Sequence, residues 1–191
     1  MAQSSQTISG QKTFKSAITV SEGCSFRASD NRISAASTSL ANLAVRDLIT
    51  ITGTTNNNAT FTVKSVDADG AYITVEETVT TENSDGSTDT VLTYSGFVTD
   101  KYKGDGYYSQ ADGIHTVAYH VNTTCTGAIK MQGSLATTPT EDDWFDITGT
   151  TFTTDQSTTI SANNFTGNFV WVRAKCTSNT AGSVTKILYN N

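Results

Sequence analysis

The sequence predicts an all-β protein with three parts: an extended N-terminal arm, a small antiparallel β-module, and a C-terminal β-sandwich of jelly-roll or immunoglobulin-like type. The first observation is composition. Of 191 residues, 36% are hydrophobic when Gly is left out of the count, so no single thick core is expected. Thr and Ser take up the difference, and β-branched Thr is tolerated on a pleated, half-solvated surface where long helices want Ala, Leu, Glu and Lys. The second observation is a succession of short alternating apolar runs separated by Asn, Asp and Gly clusters. The third is charge. Residues 1–46 carry a net +3, residues 47–100 a net −8 and residues 101–191 a net −1, which together give the formal −6 of the chain. These changes set the expected boundaries at 46 and 100.

Length allows one large domain or two small modules with an arm, and excludes a large multidomain enzyme. No run of 18 apolar residues is present, so no transmembrane helix and no membrane insertion are expected. Met1 to Gly10 lacks the charged and apolar stretches of a secretory signal, and folding in a cytosol is the expectation. Cys24, Cys125 and Cys176 are widely spaced without a C-x-x-C. They read as buried thiols in a reducing compartment, with a Cys125–Cys176 pair as the alternative.

In the arm, Ile8, Phe14, Ile18 and Val20 are separated by even numbers of residues, which puts them on one face of an extended chain that has no partner strand nearby in sequence. Lys12 and Lys15 give the same stretch positive charge. The apolar positions between Ile33 and Arg46 suggest a short helix started by Ser37 or Ser39. The middle module has four strand-like runs, at residues 47–53, 59–66, 71–79 and 90–94, with turn compositions between them. In the last module, strands are expected at residues 106–109, 113–121, 127–133, 144–148, 158–162, 168–176 and 183–189. Alternation in the strand from Asn168 sends Val170, Val172, Ala174 and Cys176 to one face, and Phe169, Trp171 and Arg173 to the other. That pattern fits a strand whose outer face is also partly covered. Thr138, Pro139 and Glu141 signal one helical turn, with Thr138 as its cap.

Chemistry-bearing residues are few. His115 and His120 are five apart on one strand, so they face opposite ways and share neither a metal nor a proton. No G-x-S-x-G or comparable signature accompanies them, and no catalytic residue is assigned. Asp67-x-Asp69-Gly70 and the 82–89 stretch offer oxygens to a hard cation, but neither has EF-hand spacing and turn chemistry accounts for both. No metal or cofactor is expected. Tyr107, Tyr108, Trp144 and Trp171, with Tyr102, are candidates for an aromatic sugar-binding platform; the competing reading makes them core and hinge residues. A sequence pI of about 4.7 disfavours nucleic acid.

Three stretches carry a resemblance. Gln6 to Val20, "QTISGQKTFKSAITV", resembles the SGxKTFxSxxTV segments of bacteriophage fibre proteins. "DLITITGTTNNNATFTVKSVDADGAYITVEETVTTE" is similar to a small β-module of phage virion proteins. "DGYYSQADGIHTVAYHV", "GSLATTPTEDDWFDI" and "NFTGNFVWVRAKC" resemble the C-terminal sandwich of structural proteins of large marine tailed phages, cyanophages in particular. The resemblance implies a non-enzymatic virion structural protein, a capsid decoration or head-fibre component assembled in the host cytoplasm and trimeric. Its partners would be other capsid or tail proteins. Ile8, Lys12, Phe14, Lys15, Ile18 and Val20 would then dock on another subunit, where burial at about 25 cal/mol per Å² stabilises the arm only after assembly. The alternative is a tail-associated receptor-binding protein that recognises host surface glycans. The decoration reading predicts buried aromatics, and the receptor-binding reading predicts an exposed platform.

Overall fold

The computed structural model describes residues 6–9, 12–13, 19–20, 23–35, 38–83, 90–109, 113–177 and 181–191. Among them the protein is all-β and antiparallel, with helical structure confined to three short 3₁₀ turns. The chain begins with strands β1 (Gln6–Ser9) and β2 (Lys12–Thr13). Two units follow from the contact pattern, and they differ from the boundaries that charge suggests. One joins Met1–Phe14 to Val98–Asn191, and the other is Lys15–Phe97.

The Lys15–Phe97 unit contains β3 (Thr19–Val20), β4 (Cys24–Arg27), β5 (Arg32–Ala35), β6 (Asp47–Thr52), β7 (Thr60–Val66), β8 (Tyr72–Val75), β9 (Glu82–Asn83) and β10, which starts at Val91 and ends at Val98. Pairing runs β3-β10-β6-β7-β8-β5-β4-β9. The 1–46 arm is therefore corrected: β4 and β5 are strands of the middle module. Their hairpin turns at Asn31, a residue that tolerates its positive φ of 51°, and the Arg27 and Asp30 side chains pair across the turn. Tertiary pairing overrides the helix expected over 33–46. Ile33 lies opposite Phe26 on one side and Ile73 on the other, all three fully buried, and only Thr38–Asn42 coils into a 3₁₀ turn. Burying each such side chain stabilises the fold by about 1.5–3 kcal/mol. At the β7–β8 turn Gly70 has φ of 69°, and a Cβ there would lie 2.5 Å from that of Ala41, so only glycine fits.

A carboxylate holds the far end of this sheet. Glu82, on β9, accepts the backbone N–H groups of Thr55 and Asn56 at 2.7 and 3.0 Å and the Asn57 amide at 2.9 Å. Asn57 in turn exchanges hydrogen bonds with the Thr80 backbone at 3.0 and 2.9 Å. The end strand thus returns to the tip of the β6–β7 hairpin, and the sheet curls on itself. Closure of this kind satisfies edge groups that a flat small sheet would expose.

The other unit adds β11 (Tyr102–Lys103), β12 (Ile114–Val121), β13 (Ala128–Ser134), β14 (Phe145–Asp146), β15 (Phe152–Thr153), β16 (Ile160–Thr166), β17 (Trp171–Thr177) and β18 (Ser183–Asn190). One sheet has the order β1-β18-β12-β16, with β2 also on β18. In the other, β13 pairs with β14 and β15 on one side and β17 on the other, and β17 carries β11. Alternation turns Val117 and Tyr119 of β12, Ile187 and Tyr189 of β18, Met131 of β13 and Val172 and Ala174 of β17 into one buried layer. The buried Tyr119 hydroxyl crosses that layer to donate to the Thr150 carbonyl at 2.8 Å. The helical turn appears as a 3₁₀ turn at Glu141–Asp143, with its cap shifted from Thr138 to Thr140: the Thr140 N–H and hydroxyl both donate to Asp143, at 2.7 and 2.8 Å. Residues 106–109, expected as a strand, instead form most of a 3₁₀ turn, Asp105–Tyr108, and its C-terminal cap, Ser109.

Candidate functional site: an aromatic and basic face

Lys101 to Ser109 builds the most developed exposed cluster of the C-terminal unit. β11 pairs with β17 so that Lys103 lies opposite Trp171. After it the backbone must bend sharply. Gly104 N–H bonds the Val170 carbonyl at 3.0 Å and Gly106 N–H the Phe169 carbonyl at 2.9 Å. A Cβ on Gly104 would stand 2.5 Å from the Phe169 oxygen, so this approach requires glycine. Asp105 is buried as the root of the turn, and Ser109 ends it in the left-handed region with φ of 55°. Of the three residues between them, Tyr107 and Tyr108 are thrown outward and remain 44% and 50% exposed.

Tyr107 meets Trp171 at 5.1 Å and an interplanar angle of 60°, and its ring is edge-on to Tyr108 at 5.3 Å. The indole N–H of Trp171 donates to the Thr137 carbonyl at 3.0 Å, which fixes the orientation of the ring. Lys103 Nζ sits 4.0 Å over Tyr107 and 5.6 Å from the Tyr108 centroid; Lys101 Nζ sits 4.7 Å over Trp171. Tyr107, Tyr108 and Trp171 therefore come together at this face. Trp144 does not join them. It lies 4.3 Å beneath the Arg173 guanidinium, which is 3% exposed, bonds both oxygens of Glu141 at 2.8 and 2.6 Å and donates to Gln132 at 2.9 Å. Lys101 and Lys103 were not singled out from the sequence, although the alternation Lys101-Tyr102-Lys103 before Gly104 places both on one face of a strand. The exposed tyrosines are what the receptor-binding reading anticipates, whereas Trp144, half-buried against Arg173, is nearer to the burial anticipated for a decoration protein.

The arm candidates divide. Ile8 lies on β1, at an irregularity in its register with β18; Lys12 lies on β2, opposite Val184; Val20 lies on β3, opposite Leu92. Phe14, Lys15 and Ile18 fall outside the described residues. Of the expected extended arm, the described strands β1 and β2 belong to one unit and β3 to the other.

The other candidates are structural. His115 is fully buried, its Nε2 2.8 Å from the Gly167 carbonyl and its Nδ1 2.8 Å from the Tyr189 hydroxyl. It stacks on Phe165 at 4.9 Å, and Asp105 stands 3.9 Å from Nε2. His120 faces the opposite way, half-buried, and burial together with Lys186 holds its pKa below the ordinary value. Cys24, Cys125 and Cys176 are buried thiols outside any disulfide, so the Cys125–Cys176 alternative is not the arrangement found. At Asp67 the carboxylate and carbonyl accept backbone N–H groups of its own turn. Among the described residues no three His, Cys, Asp or Glu side chains are grouped to hold a metal ion, and no helix is long and apolar enough to cross a membrane.

Comparison with models of known protein families finds no match, and comparison with curated protein sequences finds none at a significant level.

Proposed function

We propose that the protein is a non-enzymatic structural component of a bacteriophage virion, a capsid decoration or head-fibre subunit that assembles as a trimer through its N-terminal segment. The observation that carries this reading is the attachment of β1 and β2 to the edge of β18. Backbone ladders of this sort are sequence-tolerant, and a neighbouring subunit can receive such a strand as readily as the parent chain does. The phage-like motifs of residues 6–20 and of both β units support the same assignment. Its test is to label intact, purified particles of the encoding phage with antibodies against the recombinant protein. Regularly spaced labels on heads support the proposal. Protein found in the lysate but absent from particles contradicts it.

A second reading is favoured by a specific observation, the exposure of Tyr107 and Tyr108 beside Trp171. In it the C-terminal unit belongs to a tail-associated protein and binds host surface glycans on these rings. Label at tail tips, together with glycan binding that is lost in Tyr108→Ala, would select this reading.

A further inference from the structure

Lys101 and Lys103 are the exposed cations that flank the aromatic face, and neither forms an ion pair with a carboxylate among the described residues. Of the other described basic side chains of this unit, Lys130 pairs with Asp146 and Arg173 with Glu141, while Lys186 is exposed on β18 opposite His120. Lys175 is half-buried. In a chain of formal charge −6, two lysines left without carboxylates beside three clustered aromatic rings form a local positive site. From this the geometry points to a binding site for an acidic saccharide, a sugar unit bearing one carboxylate or sulfate, and this inference rests on the glycan-binding reading.

Each part of the ligand has a counterpart. The C–H face of a pyranose carries partial positive charge and lies against the negative face of an aromatic ring; Tyr108, half exposed and met by Tyr107 only edge-on, offers such a face. The anionic group accepts from Lys103, whose ammonium the Tyr107 ring already holds at 4.0 Å, and from Lys101 over Trp171. Attraction to the ring limits the wandering of a flexible lysine, so less freedom is lost when the anion arrives. A neutral sugar would use the rings and leave both ammoniums without a role. A nucleic acid would also stack on the rings, but each further phosphate would meet the field of an acidic protein with only two cations here to answer it.

The test uses the full chain and trisaccharides carrying a uronate, a sialic acid or a sulfate, each compared with its neutral counterpart, followed by the indole N–H signal of Trp171 in NMR titrations. At least one acidic sugar is expected to bind about tenfold tighter than its neutral counterpart, and to weaken as salt is raised. Lys101→Ala with Lys103→Ala should remove that preference while leaving neutral binding in place. Tyr108→Ala should weaken both, with the remaining amide spectrum unchanged. Equal binding of acidic and neutral sugars overturns the inference and leaves the glycan reading standing. No binding of any sugar overturns both, and tighter binding of a single-stranded oligonucleotide reassigns the face to nucleic acid.

Discussion

The Tyr189 hydroxyl lies 2.8 Å from Nδ1 of His115, which is entirely buried inside the C-terminal sandwich. On the other side of the ring, Nε2 faces the Gly167 carbonyl at 2.8 Å, and a carbonyl only accepts. Nε2 therefore carries a proton, and in the neutral ring Nδ1 is the acceptor, with Tyr189 as its donor. Burial, together with Asp105, raises the pKa of the Tyr189 phenol, which keeps it protonated for this task.

Tyr189→Phe leaves Nδ1 without a donor in the dry core. The expected loss is about 1–3 kcal/mol, the cost of an unsatisfied buried polar group. Urea unfolding followed by tryptophan fluorescence measures it in the right place, because both tryptophans, Trp144 and Trp171, belong to this unit. An unchanged midpoint would show that the hydroxyl contributes nothing.

Arg173 and Glu141 make a two-pronged ion pair with 3% and 16% side-chain exposure. Glu141→Gln strands a buried guanidinium and is expected to destabilise the unit by about 3 kcal/mol. Arg173→Lys should also destabilise, because a point charge replaces neither the fork to Glu141 nor the planar stack on Trp144. The same fluorescence assay checks both, and wild-type stability in either variant would refute the pairing.

Glu82 sets an acid limit on the middle module. Its hydrogen bond from the Thr55 N–H, then those from Asn56 and Asn57, hold its carboxyl below the ordinary 4.5. A carboxylate depressed in this way contributes stability in full above its unfolded value and loses it as pH falls through the folded one. The Thr55 and Asn56 amide signals should therefore shift together with a midpoint below 4.5, and Glu82→Gln should abolish that shift. A midpoint at or above the ordinary value would contradict the clamp.

All three thiols should resist a bulky disulfide reagent in the native protein and react once it is unfolded. Burial pushes the Cys125 thiol up to about 11, which keeps it from forming the reactive thiolate near neutral pH. Rapid reaction of any of the three without denaturant would contradict their burial.

What the sequence made legible was long strand-like runs. Asp47–Thr52, Thr60–Val66, Ile114–Val121 and Ser183–Asn190 fall within a residue of the expected strands, because each is a full-length run rich in β-branched and apolar residues that ends in turn chemistry. The partly covered outer face of β17 was also legible: Val172, Ala174 and Cys176 are buried inward, while Arg173 is covered from outside by Glu141. Four-residue strands such as Cys24–Arg27 and Arg32–Ala35 carry too few alternations to stand out, and what fixes them is pairing with strands remote in sequence, Glu82–Asn83 for the first and Tyr72–Val75 for the second. The same limit hid the strands Gln6–Ser9 and Lys12–Thr13, whose partner is at the other end of the chain. In the candidate site, the aromatic residues drew notice by type. The lysines needed the register of β11 against β17, and the separation of Trp144 needed the position of Arg173.

The measurement closest to the central claim is mass by light scattering, on the full chain and on a chain starting at Lys15. A cut at the charge boundary near Asp47 would delete β4 and β5 and destroy the middle module, whereas a cut before Lys15 removes only β1, β2 and the residues around them. The account predicts a trimer that becomes a monomer when these residues are lost. The same number of subunits for the two chains would contradict the claim that the N-terminal strands join one subunit to another.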